Sequence, residues 1–334
     1  MKRYSIARIF TALTFLLSLV LLFQNCSGGF NSSKNSDAAS VSSSVPSPTP
    51  APSPAPIAGA FTPLFQDSFS NLPVGQTVAG ASYTNGYGAI TTQSIHRPGH
   101  TSSLAISIKQ GSDGDPAGGD TGTGMGGFGV DVGFDSNQVT EGQSIWIGLW
   151  IYFPSTFNVL TNDGYLKFLR VCNSATAQKT DVEIFNNGTT SQQGWLHNDE
   201  NDTSGFLSFG SKNILPRDQW TWVELQMTAS ANKSTSVRRF WANGKFTFEI
   251  NGNAVKYIDT NGTLQTTTLA SGGVATLPAA GASLNELMLF TYWNGYAPQS
   301  QTVYVSDIVY HKNAATLPAV DTYGNKMMGP SAIP

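Results

Sequence analysis

The stretch Ser144–Pro154 reads SIWIGLWIYFP and alternates without a fault. Ile145, Ile147, Leu149, Ile151 and Phe153 occupy one parity; Trp146, Gly148, Trp150 and Tyr152 occupy the other. Successive side chains of a strand face opposite sides of a sheet, so this is a strand with one aliphatic and one aromatic face. The aliphatic face belongs to a core. The aromatic face carries indole N–H and phenol O–H groups that want polar partners, and it is expected to form the floor of a groove.

Other runs repeat the pattern. Trp220–Thr228 (WTWVELQMT) sets Val223, Leu225 and Met227 against Trp222, Glu224 and Gln226. Strands are also expected at Pro63–Phe69, Leu104–Lys109, Tyr165–Val171, Asp181–Phe185, Trp195–His197, Phe206–Phe209, Arg238–Trp241, Lys245–Ile250, Leu284–Trp293 and Thr302–His311. Asn243-Gly244 between two alternating runs is a hairpin signal, and Asn251-Gly252 follows closely. About a dozen strands without a long helical pattern predict an all-β protein, a jelly-roll sandwich of two antiparallel sheets.

Composition agrees. Of 334 residues only 12% are charged, with 11% aromatic, 34 Gly and 17 Pro, as in an exported β protein rather than a helical enzyme. Lys2, Arg3 and Arg8 precede an apolar run from Ile9 to Phe23, a secretory signal over residues 1–26. Removing those three from 18 basic residues leaves 15 against 21 acidic, a balance of −6, which argues against a nucleic-acid partner. Cys26 stands where a bacterial lipoprotein carries its lipid, although Phe23, Gln24 and Asn25 depart from the usual Leu, small, small pattern before the cysteine. With Ser27 after it, the expectation is a lipid-anchored protein of the outer membrane or cell surface; an uncleaved anchor and ordinary signal cleavage are the alternatives. Residues 27–60, rich in Ser and Pro, form an extended disordered linker. The sandwich domain follows, 61–334. The other cysteine, Cys172, lies in an apolar run and reads as a buried thiol.

The face opposite the expected core collects aromatic and polar groups from several strands. Trp146, Trp150, Tyr152, Lys167, Asp181, Glu183, Trp222, Glu224 and Gln226 belong to it, with Arg239 and Trp241 as further members. Aromatic faces edged with hydrogen-bonding groups suit a polysaccharide partner. Asp181 and Glu183, at i and i+2, share a face, as paired carboxylates of a glycosidase would, but the Glu-x-Asp-x-x-Glu pattern of sandwich-fold glycosidases is missing. The four histidines, His96, His100, His197 and His311, build no Ser-His-Asp set, and no zinc spacing is present. Asp113, Asp115 and Asp120 in a Gly/Asp loop are candidate calcium ligands, without EF-hand spacing; no other cofactor is expected.

Several short motifs together resemble the concanavalin-A-like polysaccharide lyases, above all the family 14 alginate and glucuronate lyases. They are Tyr152-Phe153-Pro154-Ser155-Thr156-Phe157, Gly164 and Lys167; Trp220 with Val223 and Gln226; the Asn243-Gly244-Lys245 and Asn251-Gly252 turns; and the closing TYWNGYAPQSQTVYVSDIVYH. The resemblance implies β-elimination on a uronate-containing glycan: a base removes the proton beside the carboxylate, and cationic or hydrogen-bonding groups stabilise the anion. Lys167 matches the family's lysine. At the Ser-x-Arg and Tyr-x-Tyr positions expected on neighbouring strands, this chain has Asp181-Val182-Glu183 and Trp195-Leu196-His197. His197 is the candidate base and Trp195 a candidate substrate contact. A non-catalytic lectin-like or adhesive envelope protein is the alternative.

Overall fold

The computed structural model describes residues 61–78, 83–85, 89–111, 128–158, 165–173, 179–185, 193–198, 207–209, 215–259, 261–269, 272–293 and 297–333. The expected signal segment and linker, with Cys26, and the calcium candidates Asp113, Asp115 and Asp120 lie outside the described residues. The described chain is all-β, with strands numbered β1–β20 in chain order and 3-10 turns at Asp135–Asn137 and Ala314–Thr316.

Two large antiparallel sheets make a jelly-roll sandwich. The first has ten strands. Its path runs Leu264–Thr268 (β16), Ala254–Ile258 (β15), Lys245–Asn251 (β14), Val237–Ala242 (β13), Trp220–Thr228 (β12), Ser144–Tyr152 (β7), Gln301–His311 (β18), Ser103–Ile108 (β4) and Ile90–Thr92 (β3), with Phe65–Asp67 (β1) also on β18. The second has eight. Its path runs Leu207–Phe209 (β11), Gln193–Asn198 (β10), Lys179–Phe185 (β9), Tyr165–Asn173 (β8), Ser283–Trp293 (β17), Val130–Gly133 (β5) and Tyr83–Asn85 (β2), with Val139–Thr140 (β6) also on β17. Ala319–Val320 (β19) and Lys326–Met327 (β20) pair separately. The strand count exceeds the expected dozen by β2, β3, β6, β19 and β20, whose two or three residues carry no readable alternation, and by β5, β15 and β16, of four or five residues.

The aliphatic face of β7 is the core that its sequence predicts. Ile145, Ile147, Leu149 and Ile151 are fully buried and pack with Val223, Leu225 and Met227 of β12 and with Leu166, Leu169, Leu287 and Leu289 of the second sheet. The Asn243-Gly244 turn closes the β13–β14 hairpin with φ of 49° and 72°, the doubly positive pair that Asn-Gly supplies at least cost. Cys172 is a buried thiol, its Sγ 3.1 Å from Met288 Sδ.

The aromatic face of the first sheet is not an open groove floor. The C-terminal segment after β18 lies across it as a strap. Leu317, Met327, Met328 and Ile333 form a second apolar cluster with Trp146, Trp222, Trp241, Phe246 and Val309. The indole N–H groups find partners there: Trp146 Nε1 donates to Lys326 O (3.0 Å) and Trp241 Nε1 to Asp321 Oδ2 (2.9 Å). Glu224, with no exposed surface, accepts from Trp222 Nε1 (3.1 Å), Met328 N (2.7 Å) and Gly329 N (2.9 Å). Gly148 is glycine for a steric reason: a Cβ there would stand 2.2 Å from Trp222 Cζ2 and 3.0 Å from Met328 Cε.

Candidate functional site

The aromatic and polar groups expected on one face are divided between two. Trp146, Trp150, Tyr152, Trp222, Glu224, Gln226, Arg239 and Trp241 belong to the first sheet; Lys167, Asp181, Glu183, Trp195 and His197 belong to the second. The core lies between the sheets, so the two groups form no common groove.

Most of the first group is committed to structure, which corrects its expected role in substrate binding. Trp146, Trp222, Trp241 and Glu224 are shut under the strap. Arg239 is paired with Glu249 and donates to Gln226 Oε1 (2.7 Å), while Lys256 reaches Glu249 from the other side at 3.5 Å. Gln226 is itself buried. Trp150 is half-buried, with the Arg97 guanidinium 4.8 Å above its ring. Only Tyr152, also half-buried, lies outside the strap's apolar cluster and is free of these pairings.

The second group is brought together by strand register. One row of directly opposite residues runs Ser208–Trp195–Glu183–Lys167–Tyr292 across β11, β10, β9, β8 and β17. A second runs His197–Asp181–Arg170–Met288–Asp131 across β10, β9, β8, β17 and β5. Opposite residues of neighbouring strands share a face, with strands about 4.8 Å apart. On β9 and β10 the rows are two residues, or about 7 Å, apart. All four candidate catalytic positions, Lys167, Asp181, Glu183 and His197, therefore fall within two adjacent rows.

Arg170, Asp131 and Tyr292 are members of these rows that the sequence reading missed. Arg170 escaped because it stands three residues from Lys167, and strict alternation puts residues three apart on opposite faces. A register shift between Lys167 and Leu169 inserts one extra residue. Phe168 and Leu169 both enter the core in succession, and Lys167 and Arg170 come out on the same face, away from it. Their exposures are 4% and 2%, so neither is a mobile surface cation. Asp131, 3% exposed, stands between core residues Val130 and Val132. A buried charge persists only with compensating partners, and the alternation of cationic and acidic positions in the rows provides such a setting.

Two other clusters lack a catalytic set. Ser70 Oγ lies 3.1 Å from His100 Nδ1, and His100 Nε2 lies 3.4 Å from Asp307 Oδ2, a juxtaposition invisible in the sequence. The same oxygen is 3.1 Å from Arg97 Nη1 and accepts from Ser306 Oγ at 2.9 Å, while Gln66 Nε2 reaches Asp307 Oδ1 at 3.5 Å. This buried carboxylate is thus the hub of a strut tying the segment 66–102 to β18, not the dedicated orienter of one imidazole. A cleft of about 650 Å³ at the β13–β14 turn, lined by Asn243, Lys245, Phe246, Ile258 and Tyr323 among others, has Lys245 as its one charged lining group among the described residues. Among the described residues, no three His, Cys, Asp or Glu side chains cluster so as to hold a metal ion.

No protein-family model matches the chain, and no curated protein sequence matches it. Solved structures similar to it include alginate lyase vAL-1 from Chlorella virus, 11% identical with a TM-score of 0.43, the match covering 67% of this chain and 89% of that one. The alginate lyase from Klebsiella pneumoniae is 8% identical with a TM-score of 0.39, covering 67% and 85%. Endo-1,3-β-glucanase from Streptomyces sioyaensis is 12% identical with a TM-score of 0.39, covering 77% and 98%. The likeness is one of chain path and assigns no residue a role.

Proposed function

We propose that the outer face of the second sheet binds a polysaccharide and cleaves it by β-elimination at a uronate. The observation that carries this reading is the pair of rows on which two buried cations, Lys167 and Arg170, stand two strands from the positions of Trp195 and His197, across Glu183 and Asp181. In that reaction a base takes the proton on the carbon bearing the uronate carboxylate, and the electron pair left behind is delocalised into the carboxylate. The glycosidic C–O bond at the next carbon then breaks, and the leaving oxygen takes up a proton. Lys167 and Arg170 would hold the carboxylate and stabilise the charge that builds on it, the interaction that strengthens most toward the transition state. His197 would serve as the base and Trp195 as a stacking surface for the adjoining sugar. In this reading residues 1–60 would carry a lipid anchor at Cys26 and hold the domain off the outer membrane through the Pro-rich linker.

One observation favours a second reading, that of a non-catalytic lectin-like or adhesive protein. Asp181 and Glu183 stand opposite Arg170 and Lys167, so each cation position faces an acidic one and the rows are not strongly attractive to a polyanion.

Incubation with alginate, polygalacturonate and glucuronan, followed by ultraviolet absorbance, distinguishes the two. Cleavage generates an unsaturated, absorbing product, and Lys167→Ala and Arg170→Ala should each lower its rate by roughly 10²-fold or more. Binding of a polymer without any absorbing product would establish the lectin-like reading instead.

A further inference from the structure

A third register row crosses the outer face of the first sheet beyond the strap. It runs Trp220–Tyr152–Tyr304–Ala105–Ile90 over β12, β7, β18, β4 and β3. The three aromatic residues are half-buried and Ile90 is 39% exposed. The Tyr152 ring lies 5.6 Å from Trp220 and 6.1 Å from Tyr304, centroid to centroid. None of the five belongs to the apolar cluster that the strap closes. The row is a strip of ring faces and small apolar groups about 19 Å long, four inter-strand steps of about 4.8 Å.

The charge beside the strip is negative. Asp218 is a fully exposed carboxylate at the Tyr152 end, accepting from Ser155 N (2.7 Å) and Tyr152 Oη (3.3 Å). Hydrogen bonds from Ser155 and Tyr152 hold its pKa below the usual carboxylate range, so it stays charged. The neighbouring cation, Arg217, is turned inward: its guanidinium packs over Phe153 and Phe157, 5.5 and 5.4 Å from the ring centres, and donates to Phe157 O. Arg217 offsets part of the Asp218 charge through space, but with its guanidinium over the two phenyl rings it is Asp218, the exposed group of the pair, that an anionic chain laid along the row would meet. A neutral sugar would stack its C–H faces on the rings and give a hydroxyl to the carboxylate.

We propose that Trp220, Tyr152 and Tyr304, with Ala105 and Ile90 extending the strip and Asp218 as its polar edge, form a binding platform for a neutral glycan chain. This platform is separate from the rows on the second sheet and does not depend on their chemistry. It retains, at one end of the sheet, the sugar-facing role that the sequence suggested for the whole aromatic face.

Affinity electrophoresis of the full chain through gels containing laminarin, mixed-linkage β-glucan, xylan, glucomannan or alginate tests the proposal. At least one neutral polymer should retard the protein, and Trp220→Ala and Tyr304→Ala should each weaken that retardation about tenfold or more. Asp218→Asn should keep the neutral polymer bound and admit alginate to the strip. Circular dichroism and thermal midpoints identify any variant that fails to fold, and the two aromatic substitutions serve as independent tests. The proposal is overturned if no neutral polymer retards the protein, or if retardation is unchanged in the Trp220→Ala, Tyr304→Ala double variant. It is equally overturned if light scattering shows a dimer that these substitutions dissolve, since the row would then be an interface between copies of the chain.

Discussion

Glu224 shows how a residue chosen as a sugar contact can instead be a fastener. Complete burial raises its pKa to about 7 from 4.5, while the N–H groups of Gly329, Met328 and Trp222 pull it the other way. Desolvation is the larger effect, as expected for a carboxylate with no water around it. A carboxyl group whose folded-state value is raised binds its proton more tightly in the folded protein than in the unfolded chain. Its contribution to stability is therefore full at and below the unfolded value of about 4.5 and is lost as pH rises through about 7. The thermal midpoint of the native protein should fall between pH 5 and pH 8, and Glu224→Gln, which cannot titrate, should fall less over the same interval. Parallel pH profiles for the two proteins would show that Glu224 does not carry the dependence.

At the scale of elements, the strap decides what the tryptophans do. Trp241→Ala removes a buried ring and the hydrogen bond to Asp321, and it should cost about 3–5 kcal/mol in urea unfolding. A sugar-binding tryptophan at a groove floor would cost far less stability and would lose binding instead, so the two readings separate cleanly. The long strands were legible because alternation over nine or more residues leaves one solution. Trp220–Thr228 was read to the residue, and the strands at Leu284–Trp293 and Thr302–His311 to within one residue at either end. The cover over the aromatic face was not legible: the tail KMMGPSAIP has no periodicity, and its Met and Ile side chains acquire meaning only against a sheet formed far earlier in the chain. Arg170 was hidden for a different reason, since the register shift in β8 is set by its pairing with β9 and not by β8's own residues. Sheet membership was hidden too. Period-2 patterning says that a strand has two faces but not which sheet it joins, so Lys167 and Trp222 looked like neighbours when the core stands between them.

At the scale of the whole molecule, that separation has a measurable consequence. The rows carrying Lys167 and Arg170 and the strip of Trp220, Tyr152 and Tyr304 face outward from opposite layers of the sandwich. Packed sheets stand about 10 Å apart, and sites that far apart without shared partners usually contribute independently. A protein of this design would hold a neutral glycan on one face while presenting a uronate chain to the other, as on a surface where both polymers occur together. Lys167→Ala should therefore slow formation of the unsaturated product by roughly 10²-fold or more while leaving retardation by the neutral polymer intact, and Trp220→Ala should weaken retardation while leaving product formation intact. In the double variant the two losses should combine without coupling, within about 0.5 kcal/mol in each binding or activation free energy. A coupling well above that value would mean that the two faces communicate through the core, and the sandwich would have to be treated as one site rather than two.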